Sequence, residues 1–154
     1  MTQIFSTTVI GHVPISSGGS ADYLKADATW ADPLGGLLLA ATSYTPTLTN
    51  VANLDSSSFA GFRYVRIGSI VIGGGRVNVN PTLTATATEL GISPPIASNF
   101  AAVANCNGVA FASGIAGQGA AIEADVANDR MAMKWIAGDV TDQPMTVLFM
   151  YLIV

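Results

Sequence analysis

The final residues, MTVLFMYLIV (Met145–Val154), carry no charge and place apolar side chains at odd and even positions alike. Successive side chains of a strand point to opposite faces. A strand of this composition therefore has no polar side to offer water, and it belongs inside a sheet with both faces covered. One cover is the core of its own domain. The run is far short of the about 20 residues that a spanning helix needs, so the second cover is expected to be protein and not lipid. Leu148, Met150 and Leu152 share a face and are the candidate residues for contact with a neighbouring subunit.

The rest of the chain points the same way. Half of its 154 residues are apolar and only 10% are charged, against about 25% charged in an ordinary soluble domain. Too few charges remain to clothe a free monomer, and obligate interfaces have the composition of a core cut in two. The net charge of −4 and the scatter of the six cations, Lys25, Arg63, Arg66, Arg76, Arg130 and Lys134, speak against nucleic acid, which needs clustered Lys and Arg. Met1 to Ile10 has neither a basic start nor a long apolar stretch, so no signal peptide is read there. Cys106 is the single cysteine and has no partner for an internal disulfide. Both features fit synthesis in a reducing cytoplasm.

The chain divides near residue 43. Residues 1–43 form an arm rich in Ser, Gly, Ala and Asp, with a linker-like ISSGGS at Ile15 to Ser20 and an apolar GGLLLAA at Gly35 to Ala41. The latter suits a short helix or a docking strand. Residues 44–154 read as strands punctuated by Gly, Pro and Asn. FRYVRI (Phe62 to Ile67) and Ile70 to Ile72 flank Gly68-Ser69, a two-residue hairpin signal. Gly73-Gly74-Gly75 is expected to turn the chain into RVNVN (Arg76 to Asn80), with Val77 and Val79 on one face. LTATATEL (Leu83 to Leu90) alternates, with Thr84, Thr86 and Thr88 on a shared face. Pro94-Pro95 imposes a loop. Further strands are expected at Gly108 to Ile115, Gly119 to Val126, Met131 to Ala137 and Met145 to Val154. Eight or so short strands without a helical stripe predict an all-β, jelly-roll-like antiparallel β-sandwich with an extended N-terminal arm.

Candidate chemistry is sparse. His12 is the only histidine and sits in the arm, with no Ser or Cys partner pattern beside it. Cys106 lies between two asparagines, without a nearby cation to make a thiolate. Glu123, Asp125 and Asp129, followed by Asp139 and Asp142, are the best carboxylate group. They raise glycoside hydrolysis or a calcium site, but a solvated strand face, or an ion pair with Arg63, Arg66 or Arg76, is the simpler expectation. Gly73 to Gly75 and Gly117 with Gly119 lack the following helix of a phosphate cradle. Trp135 alternates with Met131 and Met133 as a core residue does, and Trp30 is expected to anchor the arm. Sugar stacking by either tryptophan is the sharper alternative. No catalytic residue, metal or cofactor is expected.

Two stretches resemble known proteins. Ser20 to Pro33 (SADYLKADATWADP) resembles the aspartate–leucine–lysine/arginine–aspartate–glycine–threonine–tryptophan signature of phage tail-fibre and other virion proteins. Asp22, Leu24, Lys25, Asp27, Thr29 and Trp30 match it, and Ala28 stands where glycine is usual. Arg63 to Thr82, Leu90 to Phe100 and Asn128 to Arg130 are similar to a β-sandwich domain of phage fibres, spikes and capsid-surface proteins. The resemblance implies a homotrimer of a virion with no catalytic residues to carry over, and it favours no one virion location. A sandwich with an attachment arm and no long shaft is expected on the outer surface of the head in preference to the tail. The expectation is a capsid decoration (cement) protein. Its arm residues Tyr23, Leu24, Trp30, Leu37, Leu38 and Leu39 would grip the phage major capsid protein, and Leu148, Met150 and Leu152 would meet at the trimer interface. The alternative is a short tail fibre or receptor-binding tip, with tail or fibre proteins and a host surface glycan as partners. No membrane partner is expected.

Overall fold

The computed structural model describes residues 40–154, together with the backbone of two short strands in the arm. These are β1 (Tyr23–Leu24) and β2 (Trp30–Ala31), which pair antiparallel. They belong to a unit of their own, residues 1–39, and the second compact unit is Ala40–Val154. His12 and Leu37, Leu38 and Leu39 lie outside the described residues.

The second unit is all β. It holds β3 (Thr42–Ser43), β4 (Leu48–Ala52), β5 (Leu54–Ile67), β6 (Ile70–Pro81), β7 (Ala87–Ile92), β8 (Cys106–Ala112), β9 (Gly119–Asp125), β10 (Arg130–Ile136) and β11 (Gln143–Leu152). Residues 42 and 43, expected at the end of the arm, are therefore the first strand of the sheet. The nine strands form one sheet in the order β3-β5-β6-β11-β8-β9-β10-β7-β4, and every pairing is antiparallel.

This sheet curls into a half-barrel, the sandwich-like form of an all-β fold. Three causes act together. Strands twist by nature. β5 carries a bulge between Ala60 and Arg63, with Gly61 at φ +63°, and β4 carries one between Asn50 and Ala52; bulges bend the strand that holds them. Finally, β4 and β5 stand near opposite ends of the sheet yet only Asn53 separates them in the chain, so the backbone ties the two ends together. Asn53 (φ 54°) fixes the tie. Its Oδ1 accepts from Thr82 Oγ1 at 2.6 Å and from Leu83 N at 2.8 Å, while its Nδ2 donates to Leu83 O at 2.9 Å and Thr88 Oγ1 at 2.7 Å.

The concave face holds the core. Alternate residues of β6 (Val71, Val77, Val79), β7 (Leu90, Ile92), β10 (Met131, Met133, Trp135) and β11 (Met145, Val147, Phe149, Tyr151) are buried there. Trp135 thus takes the core place expected of it, and the Gly68-Ser69 hairpin forms with Gly68 at φ +60°. Gly73-Gly74-Gly75 does not turn. β6 runs straight through it, because these glycines let neighbours approach closely. A Cβ at Gly75 would lie 2.5 Å from Phe62 Cδ2, and one at Gly73 would lie 2.6 Å from Phe149 Cζ. The threonine strand is also shorter than expected. Leu83 to Thr86 form a turn with Ala85 at φ 52°, and of the three threonines only Thr88 is buried.

Candidate assembly face

The convex side of the sheet is where function must be sought, since the concave side is filled. On β11 the buried residues Met145, Val147, Phe149 and Tyr151 alternate with exposed ones. Leu148 is 57% exposed, and Met150 and Leu152 are each 47% exposed. The face expected to meet a neighbour is thus apolar and open.

It does not stop at β11. Leu148 stands beside Val109 of β8, and Met150 beside Ile72 of β6. Leu152 stands beside Ile70, which pairs with Ile67 of β5, while Val65 pairs with Ile72. Phe111, 56% exposed, extends the patch on β8. Four adjacent strands therefore present one continuous apolar surface. A soluble monomer rarely exposes such a patch without use. Reading β11 alone missed the contributions of β5, β6 and β8. The signal was present, because GVAFA and IVI also alternate apolar with apolar, as MTVLFMYLIV does.

Charged residues flank this patch. On the β9–β10 side, Asp125 Oδ2 accepts from Arg130 Nε at 2.8 Å and from Asn128 Nδ2 at 2.8 Å. Burial pushes the Asp125 carboxyl up, but these hydrogen bonds outweigh it and hold the group below its ordinary value. Lys134 Nζ donates to Glu123 Oε1 at 2.5 Å, which raises the lysine's proton affinity. The expected pairing of this acidic face with Arg63, Arg66 or Arg76 is therefore corrected. Its partners are Arg130 and Lys134, because β10 lies next to β9 and the arginine-bearing hairpin is at the other end of the sheet. Among the described residues no group of three His, Cys, Asp or Glu is placed to hold a metal.

Cys106 is buried on the concave face, and burial pushes its thiol up to about 12. Around it lie rings in edge contact: Tyr44 with Phe62 at 5.5 Å and Phe100 with Tyr151 at 5.6 Å. The Tyr151 hydroxyl donates to Ile96 O at 2.6 Å and accepts from Ile96 N at 2.9 Å, pinning the Pro94-Pro95 loop over the core. Burial, chiefly, raises the phenol of Tyr151 to about 12. These are the properties of a packed interior, and among the described residues no histidine, lysine or arginine pairs with the thiol. Of the arm residues, Tyr23, Leu24 and Trp30 fall on the two short strands β1 and β2, whose backbone alone is described.

The chain matches no protein family, no curated protein and no solved structure.

Proposed function

We propose that this chain is a non-enzymatic structural protein of a bacteriophage particle, a homotrimer that decorates the capsid. The observation that carries the assembly half of this reading is the continuous apolar surface of β5, β6, β11 and β8, in a chain with 10% charged residues. Burying Leu148, Met150 and Leu152 against other copies removes apolar area from water at about 25 cal/mol per Å². The virion half is supported by the resemblance of Ser20 to Pro33 to the virion signature and by that of the strand region to phage surface domains.

In this reading the arm, with Tyr23, Leu24, Trp30, Leu37, Leu38 and Leu39, attaches the trimer to the major capsid protein across subunit junctions. Three arms binding at once give a grip far tighter than one, since the second and third contacts form at high effective concentration. Immunogold labelling of intact virions tests the location: dense label over the head supports decoration, and label confined to the tail replaces it with the fibre reading. Residues 40–154 form a compact unit, so a truncation lacking the arm is expected to remain assembled and lose capsid binding. Capsid binding by that truncation would remove the arm from the account.

A further inference from the structure

Charge is distributed unevenly across the sheet. The β5–β6 hairpin carries Arg63, Arg66 and Arg76 against Asp55, a surplus of two positive charges. From β7 to β11, loops included, six carboxylates face two cations, a surplus of four negative charges. Neither Arg63 nor Arg76 has a carboxylate within ion-pair distance among the described residues, and both are exposed.

The strand register places Arg63, Arg76, Glu89, Glu123 and Lys134 on one surface. Arg63 pairs with Gly74, Gly74 with Leu148, Leu148 with Val109, Val109 with Ala121, Ala121 with Lys134, and Lys134 with Glu89. This row crosses the convex face from a basic flank, through an apolar middle, to a mixed flank where Glu89, Glu123 and Asp125 outnumber Lys134 and Arg130. Six strand steps of about 4.8 Å separate the two ends, roughly 29 Å along the sheet.

Curvature decides how a second copy meets such a surface. Two convex faces related by a twofold axis touch along their middle strands only, and their flanks diverge. In a closed ring, each copy instead sets one flank against the opposite flank of the next, a heterologous contact. The ring is the arrangement that gives Arg63 and Arg76 the acidic partners they lack among the described residues.

Resting on the reading that copies of this chain assemble through their convex faces, we infer that the contact is heterologous and charge-matched. The β5–β6 flank of one copy, through Arg63 and Arg76, docks on the β9–β10–β7 flank of the next, through Glu89 and Glu123. The β11 strands gather at the axis. Unlike margins fix the direction of the ring, and like margins would repel.

Sedimentation of the full chain tests this. The wild type is expected to be a trimer, and Arg63→Glu with Arg76→Glu is expected to weaken assembly about a hundredfold or more. Arg63→Lys with Arg76→Lys should still assemble, because it keeps the charge. Adding Glu89→Lys and Glu123→Lys to the first variant should restore the trimer. A trimer that survives the arginine reversal overturns the charge-matched contact and leaves assembly by the apolar surface standing. A dimer overturns the ring. A wild type that stays monomeric overturns the assembly reading itself and this inference with it. Should the fourfold variant lose its β circular dichroism, the comparison of the Lys and Glu variants at the two exposed arginines decides the matter alone.

Discussion

Single residues in this fold are constrained mainly by proximity. Gly75 sits where a methyl group would enter the ring of Phe62. Gly75→Ala is therefore expected to cost about 1–3 kcal/mol, read as a fall in the denaturation midpoint, because overpacking forces neighbours off their rotamers. Cys106 makes a complementary case. With the thiol buried and its ionisation pushed up to about 12, native protein at pH 8 should not react with a disulfide reagent until it unfolds. Reaction at the rate of a free thiol would show that the β8 strand opens readily. The Gly73-Gly74-Gly75 run shows why such details escape sequence reading. Three glycines satisfy a turn and a crowded strand equally well, and only the position of Phe62 and Phe149 on neighbouring strands distinguishes them.

At the scale of elements, the sheet depends on the devices that curl it. The Asn53 side chain joins the β4–β5 corner to the β6–β7 connection through three hydrogen bonds and to Thr88 of β7 through a fourth. Removing them by Asn53→Ala should cost roughly 2–4 kcal/mol, at about 1 kcal/mol for each bond with its partners left poorly satisfied. On the convex side, the depressed Asp125 carboxyl ties β9 to β10. A carboxyl held below its ordinary value of 3.8 stabilises the fold above that pH, and the contribution disappears as pH falls through the lower folded value. The stability gap between wild type and Asp125→Asn should accordingly be present at neutral pH and close in acid. The more exposed Lys134–Glu123 pair should contribute little. Most strands were legible, because alternation and turn residues mark the Gly68-Ser69 hairpin and β8 to β11 locally. The pairing of β4 with β7, the length of β5 and the ion-pair partners were not, since each depends on which strands become neighbours after the sheet curls.

At the scale of the whole molecule, the same exposed apolar surface explains the composition of the chain. The sheet fills its concave face with Met, Phe, Val and Tyr and leaves Leu148, Met150, Val109 and Phe111 outside; in the proposed reading other copies of the chain cover that outer apolar surface. The C-terminal strand announced the exposed apolar face directly, because its lack of a polar side is a local property. The wider extent of the surface was readable only once register placed β5, β6 and β8 beside β11. The most direct test of the account is the oligomeric state of the intact protein beside a Leu148→Asp, Met150→Asp variant, compared by sedimentation velocity. The account predicts a trimeric wild type and a folded monomeric variant. A variant that assembles as the wild type does would contradict it, and the convex face would then have no part in assembly.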